Sequence, residues 1–118
     1  MVEILIVVAI IGVLVGAFIT ILDPANQLRG SRDSKRKSNL QQIRTALELY
    51  RADCNVYPAS LGSSISSSCT GSPITYLQSV PRDPKTDGSY TYSPSASNSR
   101  YQLIACLERI NDPEGSGA

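Results

Sequence analysis

The sequence predicts an α+β fold: one long N-terminal α-helix, apolar in its first half and amphipathic in its second, packed on a small antiparallel β-sheet. Three observations predict it. Residues 4–22 are nineteen consecutive positions without a charge, and as a helix they match the roughly 30 Å hydrocarbon core of a bilayer. Farther on, Leu40, Ile43, Ala46, Leu47 and Tyr50 recur at three- and four-residue spacing and form one apolar stripe. Toward the C-terminus, "SYTYS" and "RYQLIACLE" alternate in polarity, have strand composition, and flank the turn-forming "PSASNS".

The opening "MVEILIVVAIIGVLVGAFITIL" has no basic residue ahead of Arg29, and its apolar run is too long for a signal-peptide core. A plain membrane anchor explains the length but not Glu3, because a carboxylate at the edge of an apolar helix is costly without a partner. Gly12, Gly16 and Ala17 are small enough to let apolar helices approach closely. Beyond Leu22, Pro24 removes a backbone donor and Gly30 loosens the helix, so a kink or local unwinding is expected within residues 23–30. The chain therefore divides into a membrane-like helix (1–24), its amphipathic continuation (25–53) and a small β-rich head with loops (54–118).

Net charge is +1 over 118 residues, yet Arg29, Arg32, Lys35, Arg36 and Lys37 crowd into nine positions with only Asp33 opposing them. Residues 29–39 are polar on every side, which suits a segment bridging the apolar helix and the head. The cluster alone is consistent with a solvated helix face or the positive flank of an anchor. Phosphate capture is disfavoured, since no aromatic residues interleave with the basic ones, so nucleic acid is not expected as a direct partner.

The helix ends at "ADCNVYP", where Asn55 suits a C-cap and Pro58 prevents continuation. The following "ASLGSSISSSCTGSP" is too poor in apolar residues for a core element and reads as an exposed connector. Its serines, over residues 60–72, would accept O-glycosylation in an exported protein. "ITYLQSVPRDPKTDG" gives a short apolar turn and then a rigid Pro-rich passage. Cys54 and Cys69 bracket fourteen residues, a loop for which a disulfide contributes about 3 kcal/mol and which suits an oxidising compartment. Cys106 stands on the strand face opposite Tyr101, Leu103, Ala105 and Leu107; three cysteines leave connectivity open, with Cys54–Cys69 the expected pair.

Chemistry is sparsely represented. The chain has no histidine, which removes the commonest general base and metal ligand. It has no phosphate-binding glycine loop and no HExxH, so an enzyme is not expected.

A glutamate just inside an uncharged helix, "VEILIVVAIIGVLVG", leads into "DPANQLRGSRDSKRKSNLQQIRTALELYRADCNVYP", then "PRDP" and the "YTYS" and "YQLIACLE" pair. Together these resemble a bacterial type IV pilin or the major pseudopilin of type II secretion, over nearly the whole chain. The resemblance implies a structural subunit polymerising through its N-terminal helix into a homopolymeric filament, with Glu3 pairing to the N-terminal amine of a neighbouring subunit. By the family's register the mature chain begins two residues ahead of Met1 with an N-methylated aromatic residue after a basic leader; the alternative is that Met1 is itself the mature start, in which case the spacing from the amine to Glu3 differs from the family's. Gly12, Gly16 and Ala17 would pack the filament core, Pro24 and Gly30 would mark the segment that melts on assembly, and Arg29, Arg32, Lys35, Arg36 and Lys37 would face Asp83, Asp87 or Asp112 of neighbours.

The first expectation is a pilus subunit serving adhesion, motility or DNA uptake, resident in the inner membrane before joining an extracellular filament. The alternative is the secretion pseudopilin, and a second alternative is a monomeric membrane-anchored binding module. Implied partners are further copies of the chain, an inner-membrane assembly platform, a prepilin peptidase and assembly ATPases. No cofactor is expected beyond calcium, which pseudopilins of secretion systems bind in the C-terminal loop; Asp83, Asp87, Ser89 and Asn98 are the oxygen donors in that part of this chain.

Overall fold

The computed structural model describes residues 1–109; Asp112 and the tail "NDPEGSGA" lie outside the described residues. The described chain is elongated, 78 × 30 × 21 Å, with two helices in line of sequence and two small hairpins following them. Helix α1 spans Val2–Leu22 and α2 spans Pro24–Cys54. Strands β1 (Ile65–Ser67) and β2 (Ile74–Leu77) form one antiparallel pair, and β3 (Thr91–Pro94) and β4 (Tyr101–Ile104) form another. The α+β class is as expected, but the sheet is divided into two two-stranded units laid along one helix.

The helical break is sharper than the sequence suggests. A single residue, Asp23, adopts the left-handed conformation (φ 42°, ψ 74°), ending α1 and opening α2. Its carbonyl accepts the amides of Asn26 and Gln27 at 3.1 and 3.2 Å. Pro24 occupies the first position of α2, where its missing N–H costs nothing and its fixed φ suits a helix. The Gln27 side-chain amide donates back across the break to the Leu22 carbonyl at 2.8 Å. Gly30 does not interrupt α2; a Cβ there would meet the Arg109 guanidinium at 3.4 Å. The expected loosening over residues 23–30 is thus confined to one residue, because Pro24 starts a helix instead of breaking one.

No residue of α1 is buried, whereas α2 buries a stripe against the head. Ile43, Ala46 and Leu47 meet Tyr57, Ile65 and Tyr90 in the core, with Leu40, Tyr50, Tyr76, Leu77 and Tyr92 partly buried around them. Asn55 closes α2 in the left-handed conformation (φ 62°), its amide donating to the Arg51 carbonyl at 2.7 Å. Asparagine tolerates that conformation as few other residues do.

The Ser-rich segment corrects the expectation of a plain connector. Ile65, one of its two aliphatic residues beside Leu61, is 3% exposed and begins β1, pairing opposite Leu77 across a register shift between Ile65 and Ser66. The "ITYL" stretch, expected as a turn, is its partner strand β2. In the second hairpin Thr91 faces Ile104 and Pro94 faces Tyr101. Strand β4 stops at Ile104, so Cys106 lies beyond it, exposed and unpaired, while Cys54 and Cys69 are joined by a disulfide. That bond ties the last residue of α2 to the chain just after β1.

Leu47 is fully buried, so Leu47→Ala should lower stability by ~2–5 kcal/mol, measured by urea unfolding of the chain in detergent micelles.

Candidate functional site

Two features stand out: an apolar helix with no residue buried among the described residues, and a buried charge cluster that fixes parts of the head on α2. In α1, residues such as Leu5, Val13 and Phe18 are more than half exposed. Gly12 and Gly16, four residues apart and so on one face, have nothing within 4 Å of where a Cβ would stand. Ala17 follows directly, its carbonyl accepting the Thr20 hydroxyl at 2.8 Å. Glu3 lies in the first turn, where the helix dipole favours a carboxylate, and has no partner among the described residues. Length and composition qualify α1 as a membrane-spanning helix.

The second feature begins where the apolar stripe of α2 ends. Asp33, Arg36 and Asn39 continue it toward the N-terminus at three-residue spacing and are buried, at 1%, 3% and 8% exposure. Each docks a different part of the head. Asp33 accepts the backbone amides of Glu108 and Arg109 at 2.8 and 3.0 Å. Asn39 donates to the Tyr90 hydroxyl at 2.8 Å and to the Arg82 carbonyl at 3.2 Å.

Arg36 is the centre of the cluster. Its Nε and Nη2 donate to the two oxygens of Asp83 at 2.6 and 3.0 Å, a bidentate fork. Its Nη1 donates to Asp33 Oδ1 at 2.8 Å and to Glu108 Oε2 at 3.2 Å. Arg32 forks onto Glu108 at 2.6 and 3.1 Å, and Lys85 Nζ reaches Glu108 Oε1 at 2.9 Å. Planar guanidinium forks are the strongest ordinary side-chain pairings. Among the described residues no buried side-chain polar atom is left without a partner, so the desolvation cost of these charges is met.

The loop between β2 and β3 is shaped to present Asp83. Asp83 Oδ1 also accepts the amides of Lys85 and Thr86 at 2.8 and 3.1 Å. The Asp83 amide donates to the Gly88 carbonyl, and the Asp87 amide, at a left-handed φ of 54°, donates to the Asp83 carbonyl, each at 2.9 Å.

These contacts change the ionisation of the acids. Hydrogen bonds from Arg36 hold the Asp83 carboxyl far below the ordinary carboxylate range. Arg32, then Lys85, hold Glu108 down to about 2. Burial pushes Asp33 upward, but the Glu108 and Arg109 amides and Arg36 outweigh it and leave it lowered. Bonding to Asp83 raises Arg36 in turn.

Arg32 and Arg36 therefore correct the expectation that the basic cluster faces neighbouring subunits. Asp83, expected as a neighbour's residue, is an intramolecular partner, since the turn at residues 83–88 folds back onto the same helix. Arg29 and Lys35 remain exposed, Lys37 is half-buried, and Asp87 is exposed. Asp33, Asn39 and Glu108 were not singled out from the sequence. The only signal available was the three-residue step 33, 36, 39 in phase with Ile43 and Ala46, hidden because every face of residues 29–39 is polar.

Of the expected calcium donors, Asp83 is already committed to another cation. Both Asp83 oxygens bind the Arg36 guanidinium, so a divalent ion would lie against a fixed positive charge. Asp87 spends its backbone on the turn, accepting from Arg82 at 3.2 Å, and Asn98 lies in the β3–β4 turn, donating to the Ser95 carbonyl. Among the described residues no three acidic, cysteine or histidine side chains gather as a metal site.

Asp33, Asp83 and Glu108 all have lowered values in the folded chain, so their contribution is complete above the ordinary carboxylate range near pH 4 and is lost as pH falls below it. Thermal unfolding by circular dichroism should show a midpoint that declines progressively between about pH 4 and pH 2.

A family model described as type II secretion system (T2SS), protein G matches residues 24–117. No curated protein and no solved structure matches the chain significantly. The family match runs from the first residue of α2 through both hairpins and the charge cluster. With that extent, well over half the sequence, the chain belongs to the type II secretion protein G family.

Proposed function

We propose that the chain is the major pseudopilin of a type II secretion system, a subunit that polymerises through α1 into a short helical filament acting as a piston. The family match carries this reading and favours it over the surface pilus for adhesion, motility or DNA uptake. It is supported by α1, twenty-one residues long with none buried in the subunit, which gains cover only from lipid or from other copies. In the membrane α1 anchors the subunit; in the filament the same apolar surface packs helix on helix, with Gly12, Gly16 and Ala17 at the close approaches.

Glu3 would then set the register. A carboxylate among apolar helices is unfavourable alone and tolerated when paired with an ammonium, and the neighbouring subunit's N-terminal amine is the partner we assign. The chain would supply no catalysis itself; extension would be driven by separate assembly ATPases acting through an inner-membrane platform, after a prepilin peptidase has processed the subunit.

Two outcomes test this. Deleting the chain from its cell should stop release of secreted folded proteins while leaving surface pili intact; loss of surface pili with secretion intact would make it a pilin, and loss of neither would leave a membrane-anchored binding module. Glu3→Gln should still insert in the membrane and keep its melting midpoint, yet give few or no filaments in sheared fractions viewed by electron microscopy. Mass spectrometry of the wild-type filaments identifies the mature first residue, and with it the amine that faces Glu3.

A further inference from the structure

We propose that the Arg36 guanidinium is the built-in cation of this subunit, holding the β2–β3 loop and the segment just after β4 on α2, so that the described part of the fold is held together without calcium. A bound divalent ion gathers oxygen donors around one positive centre. Here the side chain of α2 does that. Three carboxylates converge on Arg36, from α2 itself (Asp33), from the β2–β3 loop (Asp83) and from beyond β4 (Glu108).

The charges close within the cluster: Arg32, Arg36 and Lys85 oppose Asp33, Asp83 and Glu108. A guanidinium is permanently charged, planar and fixed to the backbone, so it cannot be chelated away. The loop conformation is also set without a metal, because the Lys85 and Thr86 amides bind Asp83 Oδ1 directly. A divalent ion reaching Asp83 would have to displace the Arg36 fork and would leave Nε and Nη2 of a nearly buried guanidinium without their acceptors, which is unfavourable. This inference concerns the subunit's fold and holds whether the filament is a pseudopilus or a pilus.

The test uses the full chain in detergent micelles, melted by circular dichroism in calcium chloride and in excess EGTA, with a calorimetric titration of calcium alongside. The two midpoints should coincide and calcium should give no saturable heat. A site filled at ~100 times its Kd would instead separate the midpoints by several degrees, and that separation, or saturable binding, overturns the proposal. Arg36→Gln should lower the midpoint in both media, well beyond Arg29→Gln, which removes an exposed charge from the same helix. Arg36→Lys, which keeps the charge but loses the fork, should fall between them. An Arg36→Gln midpoint equal to wild type also overturns the proposal; if that variant does not fold, the paired wild-type melts decide alone.

Discussion

The bidentate pairing of Arg36 with Asp83, buttressed by Asp33 and Glu108, is the interaction on which the placement of the head depends. It joins residues 47 and 72 positions apart and acts where the apolar core has run out. That core is small: among the described residues the buried hydrophobic ones are Ile43, Ala46, Leu47, Tyr57, Ile65 and Tyr90. A head of this size buries too little apolar area to fix every segment, and its two hairpins share no strand pairing. The polar part of the stripe supplies the missing constraint. Asp33 anchors the chain after β4, Arg36 anchors the β2–β3 loop, and Asn39 reaches Tyr90 at the junction between polar and apolar halves.

Tyrosine extends the same strategy across the apolar half. Tyr57 stacks edge-on against Tyr101 with ring centroids 4.6 Å apart, while its hydroxyl donates to Glu48 and accepts from Arg51, each at 3.1 Å. The Tyr92 hydroxyl donates to the Pro58 carbonyl at 2.7 Å, and Tyr76 donates to Asp53 at 2.6 Å. Each ring gives apolar area on one side and a hydrogen bond to a loop or to α2 on the other. The chain has no tryptophan, and its single phenylalanine, Phe18, lies in α1, so these amphipathic tyrosine rings are the aromatic packing of the head. The Cys54–Cys69 disulfide adds a covalent tie at the end of α2 opposite the charge cluster.

The division between α1 and α2 follows from the same physics. Among the described residues the contacts that hold the head on α2 begin at Arg32, and no residue of α1 is buried, so α1 is available for association outside the subunit. Asp23, at a left-handed φ, separates the two without an extended linker, and Gln27 bridges the gap to Leu22. That geometry suits a filament subunit of the secretion family to which the chain belongs.

By itself the sequence determined the features that depend on local periodicity and backbone chemistry. These are the uncharged length of α1, the apolar stripe from Leu40 to Tyr50, the C-cap at Asn55 and the hairpin of aromatic strands. Each is written in residues a few positions apart, where spacing and allowed φ suffice. Only the tertiary structure decided that Ile65 makes a core strand within a serine-rich stretch, and that Pro24 opens a helix after a one-residue break. It likewise decided that Arg32 and Arg36 belong to their own subunit. Those outcomes depend on partners far away in the chain: a lone isoleucine is buried only where β2 and α2 meet it, and an arginine among polar neighbours has no periodic signature until Asp83 and Glu108 are folded against it.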